Sequence, residues 1–429
     1  MSVNRIGRVA RFPLGSIALV NSLGDYGIST YTWELANGLA ANGVSVDVFG
    51  SGSAVADLPP ARHGFYPVLG GVLFRQRDIL RGKTRPLTPA RAPASPVSAS
   101  MPQASSRRRN ALLREVRKRF ISSELALYLR AKGYDVIWTQ WPNMEGYGTR
   151  FWKLCKTLGM KLVHTVHNVV PHEESAADHL MCEKVYQSSD LLFVHSEYTR
   201  EELRRRFPKV AVKTAVARYG AYTVYARRPE ARSQVRAELG IDNRRIALLF
   251  CGLVRPYKNV ESIIGALADE RCSGTVLVVA GRESGYAESS PGDPLARTRA
   301  LAATAGVSER VRFIPRFLSN DELAELLEAV DVMMLPYLKS YGSGQLLLGM
   351  TFGKYIVATA AGGMGEYLRQ YPLATVLRGS DTAHVIEGIV AAQKHFCLDA
   401  HYLGEVPPEL QWPNIARSSL EKIRDTFWG

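Results

Sequence analysis

The stretch Arg245–Ala266, RIALLFCGLVRPYKNVESIIGA, decides the architecture. Ile246 to Cys251 is an unbroken apolar run of strand length, Gly252 interrupts it, and Val260, Ile263, Ile264 and Leu267 then recur at helical spacing. Strand, glycine turn and helix in that order belong to an open parallel sheet. In such a sheet Arg255 and Lys258 fall at the carboxyl edge of the strands, beside a helix N-terminus whose free N–H groups favour phosphate. An arginine grips phosphate through two parallel hydrogen bonds, and a lysine adds a mobile point charge. The expected occupant is an anion; the alternative is a solvated loop carrying two ordinary cations.

A second turn downstream favours the anion. Asp331–Tyr337, DVMMLPY, reads as another buried strand, and Ser340-Tyr341-Gly342-Ser343-Gly344 leads into a helical run from Gln345 to Phe352. Small residues let the backbone come close to a ligand, so the amides of Ser343, Gly344 and Gln345 are expected to form a second anion cradle on the same sheet edge. Two cradles suit a diphosphate. A short strand at Tyr355–Ala358 and a third glycine turn, Gly362-Gly363-Met364-Gly365-Glu366, follow, the latter opening a helix.

The N-terminal half has the same rhythm. Ile17–Val20 and Val44–Phe49 read as strands around a helix over Thr30–Ala41, with Gly24-Asp25-Tyr26-Gly27 as the first turn. Strands at 135–139, 161–167, 190–195 and 212–217 continue the series, separated by helices such as 148–157 and 199–207. Further strands are expected at Thr275–Ala280 and Val311–Ile314, and a last amphipathic helix at Trp412–Phe427. Alternating strands and helices imply a mostly parallel sheet in each half, an α/β fold of two Rossmann-like doubly wound domains. The expected divisions are 1–224, 225–405 and a terminal segment 406–429.

Residues 75–119 depart from the alternation, being rich in Pro, Ala and Ser without hydrophobic period, and read as a flexible basic insertion. They hold 13 Lys or Arg against Asp78 and Glu115, so most of the formal +14 of the chain is local. Aromatic interleaving and DNA-binding motifs are missing, which argues against nucleic acid. The anionic inner leaflet of the cell membrane is the expected partner of Arg75–Arg119, each basic residue contributing about 1 kcal/mol near such a surface. The helical, basic segment 110–131 is expected to pack on the sheet, the alternative being docking onto lipid, with lipid contact otherwise carried by the tract before it. A length of 429 residues suits two domains, and the five cysteines, Cys155, Cys182, Cys251, Cys272 and Cys397, lack paired spacing. Reduced thiols follow, and a cytoplasmic location peripheral to the membrane is expected, since neither a signal peptide nor a run of ~18 apolar residues is present.

These motifs together resemble the GT-B glycosyltransferases of the group-4 type, in particular bacterial exopolysaccharide and capsule transferases. GLVRPYKN is similar to that family's donor-phosphate turn, FIPRFLSNDEL (Phe313–Leu323) to its nucleobase-side segment, and GSGQLLLGMTFGKYIVAT to its signature helix. GDYGISTYTWELANGLAANGVSVDVF and KLVHTVHNVVPHE match the first half, and the latter, with RPYK and SGxLLL, is most similar to transferases of xanthan-type polymers. The resemblance implies two domains facing across a cleft, with the last helix crossing back to the first. It implies a nucleotide diphosphate sugar as donor, bound by Gly252, Arg255, Lys258, Ser343, Gly344 and Gln345, with Arg316 and Phe317 on the nucleobase side. One departure is informative. Many relatives carry two glutamates with seven residues between them in the signature helix, and here those positions are Ser340 and Leu348, so the stereochemical outcome does not carry over.

For catalysis the resemblance points to His167, which ends the run Lys161–Val166; the structural alternative is a strand-capping histidine. Glu173, with His172 and Glu174 on the same loop, and Asp25 in the first glycine turn are candidates for a general base, and Gly24 and Gly27 would let a ligand approach the main chain. His164 and His195 sit in strand patterns and read as core residues. His167 and His172 alone make a weak metal pair, so neither metal nor other cofactor is expected. The expected function is transfer of a sugar from GDP-mannose or a UDP-sugar to a lipid-linked oligosaccharide in exopolysaccharide or capsule biosynthesis. The alternatives are a soluble acceptor or a degenerate, non-catalytic subunit of a synthase complex.

Overall fold

The computed structural model describes residues 15–21, 26–50, 64–67, 123–141, 150–171, 175–281, 294–396 and 406–429. Its strands are β1 (Ser16–Asn21), β2 (Ser45–Gly50), β3 (Gly64–Pro67), β4 (Tyr134–Thr139), β5 (Lys161–Val166), β6 (Leu191–Val194), β7 (Thr214–Val216), β8 (Ile246–Cys251), β9 (Thr275–Ala280), β10 (Val311–Ile314), β11 (Val332–Leu335), β12 (Tyr355–Thr359) and β13 (Ala374–Leu377). They form a seven-stranded sheet of order β3-β2-β1-β4-β5-β6-β7 and a six-stranded sheet of order β10-β9-β8-β11-β12-β13. Every neighbouring pair in the second sheet is parallel, as are the pairs from β3 to β5 in the first. Both orders are doubly wound, with the direction of winding reversing between β1 and β4 and between β8 and β11. The expected fold class is therefore the observed one.

Side chains explain why the strands read as unbroken apolar runs. Along β8, Ala247, Leu249 and Cys251 enter one core while Leu248 and Phe250 enter another. Met333 and Leu335 of β11 join the first core, and Val332 and Met334 join the second. A sheet with helices on both faces has no wet side, so polar alternation disappears. The helix Val260–Leu267 contributes Val260, Ile263, Ile264 and Leu267 to one of these cores, and the helix Gly344–Thr351 contributes Leu346, Leu347, Leu348 and Met350 to the other.

Contacts divide the chain into two units, Met1–Val166 with Ala176–Phe193 and Ala416–Gly429, and His167–Ser175 with Val194–Ile415. The second unit has a polar anchor at the start of β11. Asp331 accepts from the backbone N–H of Ala247 at 2.8 Å and pairs with Arg232 at 2.7 Å and Arg236 at 3.2 Å. Arg236 is enclosed and also donates to the carbonyl oxygens of Ala329, Asp242 and Arg245.

Several elements differ in extent from their sequence expectation. The first helix begins at Tyr26, so Gly27 lies in its first turn. Residues 208–213 form a 3₁₀ turn, leaving only Thr214–Val216 extended. Strands β3 and β13 were not expected; both are short and lie at the edges of their sheets. Of 110–131, the described part, 123–131, is helical. The insertion 75–119 lies outside the described residues, and so does Cys397; Cys155, Cys182, Cys251 and Cys272 are free and buried. Among the described residues no helix is long and apolar enough to cross a membrane.

Candidate functional site

The two glycine turns of the second unit follow β8 and β11, the adjacent strands at its switch point. Gly252 leaves β8 with φ +92°, a conformation that disfavours any side chain, and its N–H donates to Ala280 at 2.9 Å. A Cβ there would lie 3.0 Å from Lys258 Nζ and 3.4 Å from Gln345 Nε2, so both side chains converge on the bare face of this glycine. Lys258 is buried, its ammonium 6.0 Å from the ring centre of Phe250 and 5.9 Å from that of Tyr337, where the faces of the rings attract a cation. Arg255 precedes the 3₁₀ turn Pro256–Lys258, and Asn259, the single described non-glycine residue with positive φ, then redirects the chain into the helix Val260–Leu267. The Asn259 amide holds that bend by donating to Ser380 O at 2.6 Å and Pro336 O at 3.3 Å.

Across the cradle, Ser343 caps the helix Gly344–Thr351, its hydroxyl accepting from Leu346 N at 3.2 Å. The cap leaves the first-turn amides of Gly344 and Gln345 outside the helical ladder, available to an anion. Gln345 accepts from the Cys251 thiol, and burial pushes that thiol up to about 12, with Lys258 opposing the rise. The Tyr337 hydroxyl is raised well above its ordinary range, mainly by burial. Neither group carries negative charge at neutral pH, so the cations here face no competing anion from these two neighbours. Gly344 has its own steric reason, since a Cβ would stand 2.6 Å from the Tyr222 hydroxyl.

His167 lies just beyond β5, half-buried, with its Nδ1 3.1 Å from His195 Nε2. His195 in turn places Nδ1 3.0 Å from Ala217 O, and its ring stands 5.2 Å from that of Tyr219. Desolvation lowers His195 to about 4, with the bond to Ala217 opposing the change. Tyr219 and Tyr222 share a hydrogen bond at 2.8 Å, so aromatic contacts run from the histidine pair to the start of the Gly344–Thr351 helix.

Comparison with known proteins matches this layout. The model of Glycosyltransferase Family 4 matches residues 26–217, and that of Glycosyl transferases group 1 matches residues 231–390. The chain is a glycosyltransferase of GT-B fold. The D-inositol 3-phosphate glycosyltransferase of Mycobacterium ulcerans is 25% identical over 420 residues, covering 93% of this chain and 81% of the relative. Sucrose-phosphate synthase of Thermosynechococcus elongatus superposes with a TM-score of 0.62 at 17% identity, over 96% of this chain and 95% of that one. Anabaena HepE in complex with UDP and glucose superposes with a TM-score of 0.60 at 14% identity, over 95% of each chain.

The remaining expected residues of the glycosyltransferase fall as follows. Arg316 is exposed and donates to Glu322 at 2.7 Å and to Phe317 O at 3.2 Å, while Phe317 is 43% exposed. Ser340, at the position of the missing glutamate, is buried and donates to Gly342 O at 2.7 Å; Leu348 is core. Gly24, Asp25, His172, Glu173 and Glu174 lie outside the described residues. A cavity of about 150 Å³ next to Ser340 is lined by Tyr198, Arg206, Lys339 and Tyr341, with Glu202 on its wall 3.5 Å from Arg206. Sequence reading took His195 for a core residue and did not single out Tyr219, Tyr222 or Asn259 for the site. For Asn259 a signal existed, because asparagine tolerates the left-handed conformation at a turn; the other three depend on packing that no local pattern announces.

Proposed function

We propose that this glycosyltransferase uses a nucleoside diphosphate sugar and holds its diphosphate between the Gly252–Lys258 turn and the first turn of the helix Gly344–Thr351. The observation that carries the reading is the convergence of Lys258 Nζ and Gln345 Nε2 on the bare face of Gly252. When the bond from the anomeric carbon to the diphosphate breaks, negative charge grows on the departing phosphate oxygen. Lys258, Arg255 and the amides of Gly344 and Gln345 would meet that charge with donors already in place, and preorganised donors are where electrostatic catalysis is strongest. HepE in complex with UDP-glucose gives an instance of the same fold accommodating such a donor. UDP-sugars and GDP-mannose are the donors we favour, with His167, Glu173 and Asp25 as the residues meeting the sugar or acceptor.

We read the acceptor as a lipid-linked oligosaccharide of exopolysaccharide or capsule assembly, reached at the inner membrane face through the basic tract 75–119. A second reading, a small soluble acceptor bearing phosphate, is favoured by the name of the Mycobacterium ulcerans relative and by Arg206 and Lys339 in the cavity beside Ser340. Deleting residues 86–106 separates the two, because only the membrane reading predicts loss of activity toward a lipid-linked acceptor with a soluble one untouched.

The first experiment is thermal stabilisation by UDP, GDP and ADP of the wild type and of Arg255→Ala/Lys258→Ala. A nucleotide at a hundred times its Kd stabilises the native state by about 2.7 kcal/mol, which reads as a raised Tm. One nucleotide raising the Tm of the wild type alone is the expected result. An equal rise in the double variant would remove the diphosphate from this cradle.

A further inference from the structure

The hydrogen bonds around His195 determine which nitrogen of His167 carries a proton. A carbonyl oxygen only accepts, so the 3.0 Å contact between His195 Nδ1 and Ala217 O requires the proton on Nδ1. The ring is buried and neutral, with its pKa lowered to about 4, so its Nε2 holds a lone pair. That lone pair faces His167 Nδ1 at 3.1 Å, and His167 must supply the hydrogen of the bond. Neutral His167 then has an unprotonated Nε2. This is the less populated tautomer of a free imidazole, so the protein selects it.

The selecting ring is itself fixed. The Tyr219 ring lies 5.2 Å from it, tilted by 59°. The Tyr367 hydroxyl donates to the His195 carbonyl at 2.8 Å and accepts from Tyr219 N at 2.9 Å. All of these residues lie within one contact unit.

We propose that His195 is a positioning residue which, by accepting from His167 Nδ1–H, holds His167 in the tautomer whose Nε2 accepts a hydrogen bond from a hydroxyl of the sugar or acceptor. The inference rests on reading His167 as a ligand contact, and it reverses the expectation that His195 is only a core histidine. Its chemistry is distinct from that of the diphosphate cradle, which supplies donors and positive charge. Here the protein offers a neutral acceptor, the partner a sugar hydroxyl needs if its oxygen is to be oriented by its own proton.

The test is nitrogen-15 NMR of the full chain labelled at histidine, near pH 7.5, where protonated and unprotonated ring nitrogens resonate in different ranges. The His167 signals are those lost in His167→Gln. The expected wild-type spectrum has His167 Nδ1 protonated, with a coupling across the hydrogen bond to His195 Nε2, and Nε2 in the unprotonated range. His195→Gln, whose carboxamide can still accept, should keep that tautomer, while His195→Phe should move the His167 Nε2 signal into the protonated range. A wild-type His167 protonated on Nε2, or a tautomer unmoved in His195→Phe, overturns the proposal. Should His195→Phe fail to fold, the wild-type coupling decides: its presence supports the proposal, and its absence with Nε2 protonated overturns it. No nucleotide or sugar enters the measurement, so it stands or falls separately from the stabilisation by UDP or GDP.

Discussion

Gly252 shows how one missing side chain shapes the candidate site. The residue sits at φ +92°, and its hydrogen faces Lys258 and Gln345. In Gly252→Ala the new methyl would stand 3.0 Å from an ammonium that two aromatic rings already flank, so relief means moving the charge that the cradle exists to present. Strain at such a position costs about 1–3 kcal/mol. We therefore expect Gly252→Ala to lower denaturant stability within that range and to abolish the nucleotide-induced rise in Tm. A Gly252→Ala protein that kept both full stability and the nucleotide response would show that the bare face is not used.

The helix Asn320–Ala329 illustrates what an element takes from its own sequence. Ser319 accepts from Glu322 N at 3.2 Å while the Glu322 carboxylate accepts from Ser319 N at 2.8 Å, a reciprocal cap. Arg316 adds a second bond to that carboxylate and, with the cap, holds Glu322 at about 2, so Arg316 belongs to the helix start in this structure as well as to the expected nucleobase side. Ser319→Ala should cost about 1 kcal/mol, read from the denaturant midpoint, with nucleotide affinity changed less than twofold; a large affinity loss would tie the cap to the binding surface. Short apolar runs bounded by turns made β1, β8, β9, β10, β11 and β12 legible to within a residue or two. The edge strands β3 and β13 were not legible because a four-residue segment such as Ala374–Leu377, half-buried at two positions and exposed at a third, carries little periodicity. The positions of Gly252, Lys258 and Gln345 could be assigned to turns by local order. The His167–His195 pair could not, since the residues lie 28 positions apart and meet through packing after different strands.

At the scale of the whole molecule, each contact unit encloses one neutral histidine among the described residues, and this sets how the protein meets acid. His164 belongs to the first unit, with Nδ1 2.7 Å from Thr139 Oγ1, and burial lowers it from 6.5 to about 3. His195 belongs to the second and is lowered by burial to about 4. Between pH 6.5 and these values the unfolded chain binds a proton at each ring that the folded chain refuses, so stability is complete above pH 6.5 and declines as pH falls. At pH 5 the loss amounts to about 2 kcal/mol for each histidine. Hydrogen exchange reads the two units separately, and comparison of pH 7.5 with pH 5, corrected for intrinsic exchange, should show protection falling in both β5 and the segment after β6. His164→Asn, which keeps a polar atom near Thr139 without a titrating ring, should remove the pH-dependent loss from β5 and leave that around His195 in place. If β5 in His164→Asn still lost the same protection on acidification, the acid response would have to come from carboxylates, and the buried imidazole of the first unit would have no part in it.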